Sequence, residues 1–154
     1  MITTTTCDNA RFKSKHLAKA FGVSIVTLDR WVSAGVLRPE GHGRFSFNTA
    51  DVLVCFLARD LRQRRFGLDQ CGIVANWIRA KGMAELQAEW ERGQHFLLTI
   101  ETHQPFHRQW TEDELFHNEH VNLPDAFALG LPLAIIDLQA AYGVVLEKLA
   151  EVAQ

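Results

Sequence analysis

The stretch from Phe12 to Gly35, FKSKHLAKAFGVSIVTLDRWVSAG, decides the fold of this chain. Ser14 is placed to cap a short helix from about Lys15 to Phe21. Leu17, Ala18 and Phe21 fall on one face of that helix, as a buried stripe requires. Gly22 then takes the position after the helix, where only glycine adopts a left-handed backbone cheaply. Ser24 is a natural N-cap for a second helix, Ile25 to Ala34. In it Leu28, Trp31 and Val32 point inward, and Val26, Thr27, Arg30 and Ser33 form the open face. Gly35 ends this helix and Pro39 prevents its continuation.

Working outward, the segment Val36 to Phe47 contains Gly41, Gly43, Arg44 and the alternating pair Phe45 and Phe47. That alternation predicts a short strand with one buried face. With Val36 and Leu37 as partner strand, Gly41 to Arg44 form the tip of a small hairpin. Asn48 caps the next helix, with Asp51 in the N3 position of a capping box. Val52, Leu53, Phe56, Leu57 and Leu61 run at helical spacing to Gly67. Another helix is expected from Leu68 to Lys81, burying Ile73, Val74, Trp77 and Ile78. This order of elements is that of a winged helix-turn-helix, which presents its second helix to a DNA groove. The expected divisions are a tail over 1–10, a head over 11–81, a connector over 82–94 and a C-terminal region over 95–154.

The charge distribution agrees. The 154-residue chain has a net charge of −2. Up to Lys81, however, 13 Lys/Arg face 6 Asp/Glu, a balance of +7; from Gly82 onward 3 face 12, a balance of −9. A basic half suits phosphate contacts, and an acidic half excludes wrapping of DNA around the whole protein. Three scattered cysteines, Cys7, Cys55 and Cys71, form no CxxC pair and no disulfide framework. The Thr-rich start lacks the order of a signal peptide, and the apolar run Phe127 to Ile136 is too short to span a bilayer. A cytoplasmic, nucleoid-associated protein with no membrane partner is expected.

In the acidic half, Met83 to Glu91 reads as a short helix or connector and His95 to Ile100 as a strand. Glu101 to Pro124 has no clear period. Leu131, Ile135, Leu138, Tyr142, Val145, Leu149 and Val152 alternate spacings of four and three, a heptad seam on which two subunits can pair. The fold class is therefore mainly α with a small β wing, followed by an α or α+β dimerisation or effector region. His103 with His107, and His117 with His120, have spacings that on a helix can share a metal, with Glu114 or Glu119 as a further ligand. Without an HExxH motif, surface histidines are the preferred reading. Phe96, Phe106, Trp110, Phe116 and Phe127 suit the core of a second domain better than a ligand pocket. No cofactor is expected, although a metal or small-molecule effector stays open. No nucleophile, phosphate-binding loop or paired carboxylate is arranged for catalysis, so an enzyme is not expected.

Phe12 to Ser24, Thr27-Leu28, Trp31, Gly35-Val-Leu-Arg-Pro39, Gly43-Arg44-Phe45 and Asp51-Val52 together resemble the DNA-binding head of the MerR family. The resemblance covers about half the chain. It implies a homodimeric transcriptional regulator on a pseudo-palindromic operator. Family members usually carry Arg after the Thr-Leu of the recognition helix, and here that residue is Asp29. The connector is also short, and the candidate pairing helix comes last. Two other readings follow: an excisionase-like protein that bends DNA, or an interaction module whose acidic half engages RNA polymerase or another protein.

Among candidate contacts, Thr27 and Arg30 are placed for base edges, and Arg30 alternatively for phosphate. Val26 shares their face. Ser24 offers a hydroxyl at the helix N-terminus, as phosphate ligand or plain cap. Arg44 sits at the wing tip, and Lys13, Lys15 and Arg38 are further phosphate candidates. Arg59, Arg62, Arg64 and Arg65 read as a solvated face of the third helix.

Overall fold

The structure, a computed structural model, describes residues 10–41, 44–93, 97–101 and 133–152. The described residues are mainly helical. α1 (Ser14–Phe21) begins one residue earlier than expected, because Lys13, in extended conformation, is its N-cap and donates its N–H to His16 Nδ1 at 3.2 Å. Gly22 ends α1 in the left-handed region, with φ 64° and ψ 35°. α2 (Ile25–Ser33) starts at Ser24, whose Oγ accepts the Thr27 N–H at 3.1 Å. Leu28 and Trp31 are buried, and Val32 packs against the core from its edge.

After α2 the chain departs from the expected hairpin. The Trp31 carbonyl accepts the N–H groups of both Val36 and Leu37, at 3.0 and 3.3 Å. Both side chains lie in the core, each 1% exposed. With their donors and side chains turned back on α2, Val36 and Leu37 cannot serve as the partner strand. Glu40 takes that role, exchanging two backbone hydrogen bonds with Ser46. Phe12 pairs in the same way with Phe47. Phe47 is fully buried, as the alternation predicts, whereas Phe45 is only half-buried, like Ser46 between them. His42 and Gly43, at the expected tip, lie outside the described residues.

α3 (Thr49–Gln63) is the central helix, with nine buried residues including Val52, Leu53, Leu57 and Leu61. Asn48 caps it, accepting the Asp51 N–H at 2.8 Å. Asp51 also returns toward the cap, its carboxylate facing the Asn48 backbone N–H. Its carboxylate accepts the Arg38 N–H at 3.1 Å and so fastens the loop after α2. α4 (Leu68–Lys81) buries Cys71, Val74, Ala75 and Ile78 against α3, whereas Ile73 and Trp77 flank that stripe and are only half-buried. α5 (Met83–Glu91) follows at once and adds Met83, Leu86 and Trp90 to the core. Lys81 joins the two helices through Glu85 and Glu89, at 3.2 and 3.0 Å.

β1 (Leu97–Glu101) and β2 (Leu133–Asp137) form an antiparallel pair, with Leu97 opposite Asp137 and Glu101 opposite Leu133. The expected seven-residue seam is therefore interrupted. Ile135 lies in a strand, and Leu131 is outside the described residues. α6 (Leu138–Val152) begins only at Leu138, where Asp137 caps it by accepting the Ala140 N–H at 3.0 Å.

α6 lies against α1 and α3. Leu138 and Val145 are fully buried, Tyr142 is buried, and Leu149 packs at the edge of the same core. Tyr142 stacks near Trp90 with ring centroids 5.5 Å apart, and its hydroxyl accepts from Gln87 Nε2 at 3.1 Å. An intersubunit seam needs these side chains at the surface; in this chain they fill the interior instead. Among the described residues the buried side chains form one cluster running from Leu17 to Val145, on both sides of Gly82. The expected tail, apart from Ala10, lies outside the described residues, as do Glu114, Glu119 and the aromatics from Phe96 to Phe127.

Candidate nucleic-acid interface

The Phe12–Phe47 bridge is what assembles the site. Its two backbone hydrogen bonds, 2.9 and 2.8 Å long, hold the entry to α1 beside the returning arm of the 40–46 hairpin. α2 closes the third side. The result is a cleft of about 600 Å³ lined by Arg11, Phe12, Lys13, Ser14, Lys15, Ile25, Asp29, Arg44, Phe45 and Ser46. Three segments distant in sequence thus supply four cations, Arg11, Lys13, Lys15 and Arg44, and one carboxylate, Asp29. All five are exposed. Arg11 approaches Glu40 at 3.8 Å; Lys13, Lys15 and Arg44 have no ion pair among the described residues.

This geometry sorts the sequence-predicted residues. Lys13, Lys15 and Arg44 come together in the cleft. On α2 the residues that line it are Ile25 and Asp29, one turn apart, rather than Thr27 and Arg30. Arg30 is exposed on the neighbouring strip of the helix. The Thr27 hydroxyl lies 2.8 Å from Ser24 Oγ, so both hydroxyls are engaged in the cap. Ile25 and Val26, neighbours at the start of α2, are 44% and 69% exposed.

Arg38 lies elsewhere. Its N–H is bound by Asp51, and its guanidinium reaches Asn76 Oδ1 on α4 at 3.5 Å. Beside it Arg79 donates to the Val36 carbonyl and, at 3.2 Å, to Asn76 Oδ1. Arg79 and Asp51 together pin the segment between α2 and the hairpin, and so set how the two sides of the cleft face each other. Burial pushes the Asp51 carboxyl above its ordinary range, against the lowering pull of the Arg38 N–H and the Arg79 charge. Burial likewise lowers the Arg79 guanidinium, aided by the neighbouring Arg38 charge.

The arginines of α3 and of the turn after it are not a uniform solvated face. Arg59 is half-buried; it donates to the Phe21 carbonyl at 3.0 Å and lies over the Phe56 ring at 5.2 Å. Arg62 donates to the Phe66 carbonyl at 2.8 Å, and Arg64 pairs with Asp60 at 3.1 Å. Arg65 adopts a left-handed backbone with φ 67° at the end of the helix. Two of these side chains therefore close helix ends.

Sequence reasoning missed Arg11 and the tethering roles of Asp51 and Arg79. Arg11 had a visible signal, lying two residues before Lys13 in a basic run. The others bind backbone groups of a loop whose path local sequence does not reveal. Among the described residues no group of His, Cys, Asp or Glu is arranged to hold a metal; His103, His107, His117 and His120 lie outside them. No helix among the described residues is long and apolar enough to cross a membrane. No protein-family model matches the chain, and no curated protein matches it.

Proposed function

We propose that this chain is a sequence-specific DNA-binding regulator whose residues 11–81 act as a MerR-like winged helix-turn-helix. The observation that carries the reading is the cleft itself. Cations from α1, from its entry and from the hairpin converge beside an exposed helix face, and three of them have no carboxylate partner among the described residues. Duplex DNA fits that combination. α2 enters the major groove, and Lys13, Lys15 and Arg44 meet phosphates on either side. Arg30 and Val26 extend the contact along the outer face of α2.

Binding as a homodimer to an inverted repeat belongs to the same reading. Its subunit interface is not the stripe of Leu138, Tyr142 and Val145, which is buried inside each chain. The acidic remainder stays clear of phosphate and is free to meet a regulator or polymerase.

The test is selection of bound duplexes from a random pool, with sedimentation of the complex. The wild-type chain enriches one motif, arranged as an inverted repeat and bound by two copies. A Lys15→Ala, Arg44→Ala double variant loses at least about tenfold in affinity while keeping its helical signal. No enrichment by well-folded wild-type protein refutes the proposal.

A further inference from the structure

We infer that Asp29 selects a cytosine in the bound duplex by accepting a hydrogen bond from its N4 amino group. The inference rests on the DNA-binding reading above and adds what that interface recognises. Asp29 lies on the strip of α2 that lines the cleft, one turn after Ile25. It is exposed, and among the described residues no cation comes within ion-pair distance of it, although four line the same cleft. Its carboxylate is thus an acceptor with no ion pair among the described residues, on a surface otherwise suited to phosphate.

A carboxylate in that place is costly against DNA unless it meets a donor. Phosphate oxygens, guanine O6 and N7, and thymine O4 all repel it. The donors on the major-groove edge are the amino groups of cytosine and adenine. Adenine places the N7 acceptor beside its amino group, against the second carboxylate oxygen. Cytosine places an apolar C5–H there instead. The carboxylate therefore rewards cytosine and penalises the alternatives. The exposed Ile25 and Val26, one turn before it on α2, add apolar surface suited to pyrimidine C5 edges, including the thymine methyl.

The experiment compares duplex pools selected by the wild-type chain and by Asp29→Ala, with circular dichroism confirming equal folding. The wild-type motif contains a fixed cytosine in each half-site. Replacing that base with N4-methylcytosine turns a methyl group into the major groove and weakens wild-type binding at least about fivefold. Asp29→Ala keeps the rest of the motif, loses the cytosine preference at that position and is indifferent to the methylated base. An unchanged motif for Asp29→Ala, or wild-type binding insensitive to the methylated base, overturns the inference while leaving DNA binding intact. Failure of both proteins to enrich any motif overturns the DNA-binding reading, and this inference with it.

Discussion

Asp51 shows how one side chain fixes the geometry of a distant surface. It is 3% exposed, yet its carboxylate holds the Arg38 N–H and lies in the field of Arg79. Burial raises its pKa, so the carboxyl holds its proton more firmly in the folded chain than in the unfolded one. Its contribution to stability is fully present below the ordinary value of 3.8 and is lost as pH rises through the elevated folded value. Asp51→Asn removes that titration and keeps an oxygen acceptor. The melting temperature of the variant relative to wild type is therefore expected to be more favourable at roughly pH 6 than at roughly pH 3. A difference that stays flat with pH contradicts the assignment. The cysteines of α3 and α4 illustrate the opposite case, burial with no partner of use. Burial pushes the Cys55 thiol up to about 12 and Cys71 to about 11. Both are expected to resist a thiol reagent in the native protein and to react fully in denaturant, because the thiolate is the reactive species.

The elements of the first half were legible where a residue acts on its own neighbours. Gly22, Ser24 and Asn48 each do what their type and position predict, since a cap needs nothing beyond four consecutive residues. The hairpin partner was misread because Val36 and Leu37 satisfy strand patterning while the Trp31 carbonyl captures their donors. α6 is ambiguous for a related reason. A stripe at spacings of four and three is equally suited to a partner subunit and to the chain's own interior, and sequence does not say which surface will be near. The site was half legible: its lysines and Arg44 stand out as charges, whereas their convergence depends on the Phe12–Phe47 bridge. The inward placement of α6 leads to a direct expectation. Leu138→Ala should cost about 2–5 kcal/mol in denaturant unfolding, as for other fully buried leucines. It should leave the mass in sedimentation unchanged under native conditions. A fall in mass without loss of stability marks the stripe as an intersubunit seam.

On the scale of the whole molecule, the +7 balance of residues 1–81 overstates the charge available to DNA. The guanidinium of Arg59 closes the end of α1, that of Arg62 binds the Phe66 carbonyl, and that of Arg79 binds the Val36 carbonyl. Each is held by the fold in a place set by the core. Lys13, Lys15 and Arg44 are held by nothing comparable among the described residues and face one cleft. If DNA occupies that cleft, these three release counterions, and the logarithm of the binding constant falls with the logarithm of salt by about 0.9 per phosphate neutralised. Converting Lys13, Lys15 or Arg44 to Ala should therefore flatten the salt slope by about 0.9 each, nearly additively. Arg59→Ala should lower thermal stability and leave the slope as it is. The two measurements separate charge that builds the fold from charge that meets the ligand. An Arg59→Ala slope as flat as that of Arg44→Ala would move the binding surface from the cleft to α3.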